Sequence, residues 1–301
     1  MHLNNDGGNS QNQQTIGSRL LSITTIVKGH LSDGSSSHGS GFFYNINAPN
    51  NPHVKGAGWV EIQGQWLITN RHVVLPKIND EEVIPDYFTF NLREVINNRI
   101  EWLPITYSQD ELRKNLKLHS NPKVDVAVIN VKDILVKHVV RCKDRMNIIM
   151  PMSLSNDNLP SVSQLEIETT SDIVVASYPR GYYDEYNKFP ILKSGIIASA
   201  WGRYFNYEPV FLIDAMLFPG SSGGLVISKP TNMTMINGCL HTISEKQFAF
   251  LGVYSGEPRY LSKPIELDGF TISKSETFGL GLVWYSTLIP EIINNGVLTN
   301  L

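Results

Sequence analysis

The chain is poor in cysteine: Cys142 and Cys239 are the only two in 301 residues. They lie far apart, with no second Cys or His at zinc-ligand spacing, so neither a disulfide framework nor a zinc site organises the fold. Both are expected to be buried thiols, since an unpaired cysteine behaves as a small hydrophobe. No metal or other cofactor is expected. Charge of one sign is also missing, with 25 Lys and Arg against 28 Asp and Glu and no basic block, which argues against a nucleic-acid partner. No apolar run approaches the ~18 to 20 residues of a membrane helix, so no membrane partner is expected either. Met1-His2-Leu3-Asn4-Asn5-Asp6-Gly7-Gly8-Asn9-Ser10 has neither the cationic start nor the apolar stretch of a secretory leader, and the expectation is a soluble cytoplasmic protein. What the chain does have is 42% hydrophobic residues, enough to bury a core without covalent staples.

Residues 1 to 18 are rich in Asn, Gln, Gly and Ser and offer little to bury, so a disordered tail is expected there. From Leu20 onward, short β-rich runs alternate with Gly, Pro, Asn and Ser clusters, the pattern of an all-β sandwich or barrel. Ile23 to Val27, Trp59 to Ile62, Trp66 to Thr69, Tyr87 to Leu92, Val124 to Val131, Val210 to Ile213 and Phe248 to Tyr254 are among the expected strands. Ser108-Gln109-Asp110-Glu111 reads as a capping box ahead of a helix through Leu116. Ser286 to Asn295, with Pro290 early and Gly296 just past the end, reads as a final helix. Ser32 to Ser40 reads as a surface loop, and the sequon Asn232-Met233-Thr234 as incidental.

Three segments carry chemistry. In Pro219-Gly220-Ser221-Ser222-Gly223-Gly224, the glycines allow a tight turn whose N–H groups point into one small space. If Ser222 attacks a carbonyl carbon, its own amide and that of Gly220 are the natural donors to the oxyanion, each worth about 3 to 4 kcal/mol. In Thr69-Asn70-Arg71-His72-Val73-Val74, a histidine follows a buried strand, where a general base can be held rigidly. In Lys123-Val124-Asp125-Val126-Ala127-Val128, a carboxylate opens an apolar run and needs a partner to offset its desolvation. Taken singly, each has an ordinary structural reading: a turn, a satisfied core histidine, a solvated strand-start aspartate.

Together, and in the order His, Asp, Ser, these segments resemble the triad segments of trypsin-like serine peptidases of the chymotrypsin fold, closest to the bacterial HtrA type without its PDZ domain. The resemblance extends over roughly residues 20 to 298. It implies an all-β fold of two packed six-stranded antiparallel barrels with a short C-terminal helix. Residues 19–165 would form the first barrel, carrying His72, Asp125 and an insertion over 75–122; residues 166–301 would form the second, carrying Ser222. It implies a serine endopeptidase acting on a protein or peptide, with Ser222 as nucleophile, His72 as general base, Asp125 orienting the imidazole, and the Gly220 and Ser222 amides as oxyanion hole. Ser221 is the rival nucleophile, less well placed because the family's reactive serine directly precedes two glycines.

Ser221 stands where digestive relatives carry an aspartate that pairs with the N-terminus freed on activation. A protein partner that orders the oxyanion loop, or a dedicated protein substrate in a bacterial stress or antiviral system, is therefore expected. The resemblance places Met216, Leu217, Val253, Tyr254 and Ser255 around the primary substrate pocket, which lacks a carboxylate and so suits an apolar residue. Within 75–122, the acidic Asp80-Glu81-Glu82 and aromatic Tyr87 to Phe90 either cover the cleft or extend the first barrel, the latter favoured. A catalytically silent binding barrel and a non-peptidase acyl hydrolase are the competing readings. The first is opposed by three filled triad positions, the second by the lack of a strand-turn-helix around the serine.

Overall fold

Alternation of apolar and polar residues drives most of the chain into strands with at least one buried face. The computed structural model describes residues 16–47, 62–137, 147–163, 165–236, 239–261, 265–267, 270–272 and 275–298. Helix α1 (Ile16–Ile23) leads into β1 (Thr24–His30), β2 (Ser36–Asn47) and β3 (Ile62–Thr69). One helical turn, α2 (Arg71–Val74), and the two-residue strands β4 (Lys77–Ile78) and β5 (Glu81–Glu82) follow, then the long hairpin β6 (Tyr87–Ile96) and β7 (Arg99–Ser108). After it come α3 (Gln109–Asn115), β8 (Leu116–Leu118), β9 (Ala127–Asn130), α4 (Lys132–Leu135), β10 (Ile148–Ile149) and β11 (Leu154–Ser155). In β6 the period is plain: Phe88, Phe90 and Leu92 are buried while Tyr87 stays exposed.

The second half contributes β12 (Asp172–Ser177), β13 (Ile191–Ile197), β14 (Val210–Asp214), β15 (Leu225–Ser228), the hairpin β16 (Thr231–Ile236) and β17 (Cys239–Gln247), and β18 (Phe250–Gly256). Four short strands, β19 (Arg259–Leu261), β20 (Ile265–Leu267), β21 (Phe270–Ile272) and β22 (Ser275–Thr277), precede β23 (Leu280–Tyr285), α5 (Leu288–Asn295) and β24 (Val297–Leu298). Strands β12-β13-β14-β23-β18-β15 close into a six-stranded antiparallel barrel. The first half differs from the six strands expected. It is a ten-stranded sheet whose main path runs β10-β6-β1-β2-β3-β9-β8-β24, with β7 on β6 and β11 parallel to β2. The extra strands come largely from the 75–122 insertion, whose β6–β7 hairpin pairs with β1 and extends this sheet.

Three cores result. One lies within the first sheet around Phe88, Phe90 and Leu112; one fills the barrel around Ile173, Phe211 and Val283. The third joins the two halves, packing Phe42, Ile68 and Val126 against Leu225, Val253 and Trp284 beneath α5. This seam places the ends of β3, β9, β15 and β18 next to one another.

Several expectations change. The tail expected over 1–18 lies outside the described residues up to 15, but residues 16–18 open α1, which buries Leu20 and Ile23; Ile23 is therefore helical. Val124 to Val126 precede the strand, which begins at Ala127; the Val124 and Val126 side chains pack in the seam. The strand expected at Trp59 is described only from Ile62. Cys239 is a free, exposed thiol rather than a buried one, because it sits on the β16–β17 hairpin that leaves the barrel; Cys142 lies outside the described residues. The α3 capping box forms, with Ser108 accepting from the Glu111 amide and Glu111 from the Ser108 amide. Helix α5 begins at Leu288, and Gly296 ends it at φ −64°. Glycine is needed there for space, since a Cβ would overlap the Ile292 carbonyl and lie 2.9 Å from that of Leu118.

Candidate active site

His72 is the second residue of α2, directly after β3. Buried Val73 and Val74 anchor this turn, and Arg71 forks onto Glu82 with Nε–Oε1 at 2.7 Å and Nη2–Oε2 at 2.6 Å. The acidic start of the insertion thus braces the histidine's neighbour. Asp125 is held between the buried Val124 and Val126, and its carbonyl accepts from Asn70 Nδ2 at 2.6 Å. Its carboxylate faces α2: Oδ1 accepts the His72 amide at 2.9 Å, and Oδ2 lies 2.7 Å from His72 Nδ1. Two contacts to one residue fix both the backbone and the ring.

Ser255, in β18, donates its hydroxyl to Asp125 Oδ2 at 2.5 Å. Its carbonyl accepts the Ser222 hydroxyl at 3.0 Å. Ser255 therefore links Ser222 to Asp125 and His72 across the seam. Among the described residues no hydrogen bond joins Ser222 Oγ directly to the His72 ring. Ser221, by contrast, is fully buried and accepts from Ser177 Oγ at 3.1 Å.

The loop around Ser222 is shaped by two left-handed glycines, Gly220 at φ +89° and Gly223 at φ +80°. A Cβ at 223 would overlap the Ser40 carbonyl, and one at 220 would lie 2.8 Å from the Arg180 amide. Ser40, expected in a surface loop, sits instead on β2 and ties the loop down. Its amide donates to the Ser222 carbonyl at 2.7 Å, and its hydroxyl donates to the Gly220 carbonyl at 2.9 Å while accepting from the Tyr178 amide at 2.9 Å. The Pro219 carbonyl accepts the Arg180 amide at 2.6 Å. In a trans peptide the carbonyl and the next N–H point opposite ways, so this bond turns the Gly220 N–H away from Arg180. Neither the Gly220 nor the Ser222 amide is hydrogen-bonded among the described residues.

The five residues expected around the pocket separate. Met216 is 66% exposed, and Ser255 reaches the polar line just described. Leu217, Val253 and Tyr254 are buried because the barrel interior and the seam claim them, so their side chains line no open pocket. Burial and the charge of Glu257 push the Tyr254 phenol well above its usual range. Phe218 is partly exposed, with Lys193 Nζ 5.0 Å and Arg180 Cζ 5.8 Å from its ring centre. The residues that sequence reasoning missed, Ser40, Ser177, Tyr178 and Arg180, act through backbone contacts and short hydroxyl bonds that leave little trace in composition. The Gly39-Ser40-Gly41 alternation ahead of two phenylalanines was the one usable signal.

A family model of the trypsin-like peptidase domain matches residues 39–232, a span that includes His72, Asp125 and Ser222. The chain belongs to that family. This trypsin-like peptidase is a serine protease, a hydrolase whose substrates are proteins or peptides. Similar solved structures include the protease Rv3671c of M. tuberculosis in its active form, at 16% identity over 95% of this chain and 86% of that one, TM-score 0.44. The protease Anisep of Arthrobacter nicotinovorans shares 14% over 91% and 94%, TM-score 0.43. Tobacco etch virus protease complexed with product shares 11% over 98% and 87%, TM-score 0.43. No curated protein matches. Among the described residues of the peptidase, no helix is long and apolar enough to cross a membrane, and no three His, Cys, Asp or Glu side chains group as metal ligands.

Proposed function

We propose that the protein is an endopeptidase working through Ser222, His72 and Asp125 by way of an acyl-enzyme. The observation that carries this reading is the hydrogen-bonded line Ser222–Ser255–Asp125–His72. It brings to one seam three side chains that are far apart in sequence.

Asp125 holds Nδ1 of the imidazole in its protonated tautomer, which leaves Nε2 free to accept. Rotation of the Ser222 hydroxyl off the Ser255 carbonyl delivers its proton to Nε2 as the oxygen attacks the peptide carbonyl. Such contacts commonly tighten only when substrate binds. The imidazolium, stabilised by Asp125, then protonates the leaving amine, and water clears the acyl-enzyme by the reverse relay. The Gly220 and Ser222 amides, without acceptors among the described residues, receive the oxyanion. Ser221 is set aside as nucleophile because its hydroxyl is buried against Ser177. Met216 beside this loop favours an apolar substrate residue before the scissile bond, and substrate backbone pairs along β18 near Ser255. The chain divides functionally into 19–165, which supplies base and orienting acid, and 166–301, which supplies the nucleophile. The HtrA-type resemblance adds a protein partner as the regulator of the oxyanion loop.

The test is hydrolysis of casein and labelling by a fluorophosphonate. Ser222→Ala is expected to abolish both with unchanged circular dichroism. Undiminished hydrolysis in that variant refutes the assignment.

A further inference from the structure

Arg93, on β6, is 4% exposed, and among the described residues no carboxylate is one of its partners. Burying a guanidinium costs several kcal/mol unless its donors are met, and here they are met by backbone and one phenol. Nε and Nη2 donate to the Lys188 carbonyl at 3.0 and 2.7 Å. Nη2 also reaches the Leu21 and Thr24 carbonyls at 3.2 and 3.1 Å and the Tyr178 hydroxyl at 2.9 Å, and Nη1 reaches the Ser22 carbonyl at 3.4 Å. Trp102 and Phe189 cover the guanidinium, with ring centres at 5.0 and 5.5 Å.

These partners belong to two separate segments. Leu21, Ser22 and Thr24 are the C-terminal end of α1 and the residue that starts β1, where the helix dipole places partial negative charge. Tyr178 opens the loop between β12 and β13 that holds Arg180, and Lys188 lies near its far end. One buried cation thus clamps both feet of that loop and fastens them to α1. Inside the loop, Arg180 takes a left-handed φ of +53° and gives its amide to the Pro219 carbonyl at 2.6 Å. The Gly220 backbone packs on Tyr178 and Arg180, since a Cβ at 220 would stand 2.9 Å from the Tyr178 carbonyl and 2.8 Å from the Arg180 amide.

We propose that Arg93 is a positioning residue for the oxyanion hole: by fixing Tyr178 and Lys188 against α1, it sets the orientation of the Pro219–Gly220 peptide and so of the Gly220 N–H. The proposal rests on Ser222 and the Gly220 amide acting as described above. An apolar side chain of similar volume would fill the site but take these donors away from the carbonyls and the phenol. What an apolar residue cannot do is hold the end of α1 and both feet of the loop at once. The docking of α1 therefore acts on catalysis without touching substrate.

The experiment compares full-length wild type, Arg93→Met, Arg93→Lys and Tyr178→Phe. The readouts are the second-order rate of Ser222 labelling by a fluorophosphonate, located by mass spectrometry, and the melting temperature. Leu112→Ala, in the first sheet's own core, serves as a destabilised control. At a temperature where every variant is folded, Arg93→Met is expected to label roughly 100- to 1000-fold more slowly, the range for losing one oxyanion donor. Arg93→Lys should recover part of that loss, and Leu112→Ala should keep the wild-type rate. Wild-type labelling in Arg93→Met, or equal slowing in Leu112→Ala, overturns the proposal. If Arg93→Met does not fold, Tyr178→Phe decides: slowed labelling supports the clamp and an unchanged rate overturns it. Wild type that labels elsewhere than Ser222 refutes the nucleophile assignment itself, and the positioning role falls with it.

Discussion

Replacing Asp125 with asparagine isolates the orienting carboxylate, because the shape is kept while the charge is lost and one acceptor becomes a donor. The aspartate accepts from three donors: the His72 amide on Oδ1, and His72 Nδ1 and the Ser255 hydroxyl on Oδ2. An amide has one oxygen and one NH2, so one side must change. With the oxygen at the Oδ2 position, the NH2 confronts the His72 backbone N–H, and neither donor can turn into an acceptor. With the oxygen at the Oδ1 position, the NH2 faces groups that can adapt: Ser255 Oγ can accept, and the imidazole can move its proton to Nε2. The second arrangement wins. It leaves the fold nearly unperturbed and the base disabled, since a protonated Nε2 cannot take the Ser222 proton. The expected loss is about 10⁴ in kcat, the scale seen for this change in a related triad, or roughly 5 kcal/mol of transition-state stabilisation. The assay is kcat at neutral pH on a fluorogenic casein substrate, alongside thermal melting. An Asp125→Asn enzyme within tenfold of wild type would sink the tautomer argument; so would a large drop in melting temperature, which would mean that the amide had not been accommodated.

Gly223→Ala forces a left-handed alanine, costing about 1 to 2 kcal/mol, and drives its Cβ into the Ser40 carbonyl. It should lower the melting temperature and abolish casein hydrolysis together, and an active, fully stable variant would contradict the close approach of β2 to the serine loop. Ser108→Ala should cost about 1 kcal/mol in urea unfolding at neutral pH through loss of the α3 cap, with activity unchanged. The amide and hydroxyl of Ser108 hold the Glu111 carboxyl below the usual carboxylate range. Its contribution is therefore complete above that range and lost as pH falls through the lowered folded value. The gap between wild type and Ser108→Ala should narrow in acid, and a gap that widens would contradict the sign.

The strands and the chemistry-bearing segments were legible because both leave one-dimensional signatures. Phe88, Phe90 and Leu92 announce β6 by alternation, Ser108 and Glu111 announce α3 by their spacing, and the histidine, aspartate and serine segments stand out by the residue types they combine. What was not legible depends on where a strand's second face goes. Val253 and Tyr254 read as pocket wall, but a strand between the barrel interior and the seam buries both faces. Cys239 reads as buried, yet it rides a hairpin that leaves the barrel. Ser40 and Arg93 look unremarkable in sequence because their partners are mostly backbone atoms far away along the chain.

Strand β24 pairs with β8, Val297 opposite Leu118, while Lys117 Nζ donates to the Ile293 carbonyl at 2.6 Å. A sheet begun by residue 24 is thus completed only by residues 297 and 298, after the whole barrel has been threaded between. During synthesis the β8 edge stays open to mispairing until residues 297 and 298 have been made and have emerged from the ribosome, and such distant closure slows folding. Once fastened, that late strand makes unfolding of either half pull on the other, so the molecule should melt in one transition, with the two parts of its reactive centre lost in the same step.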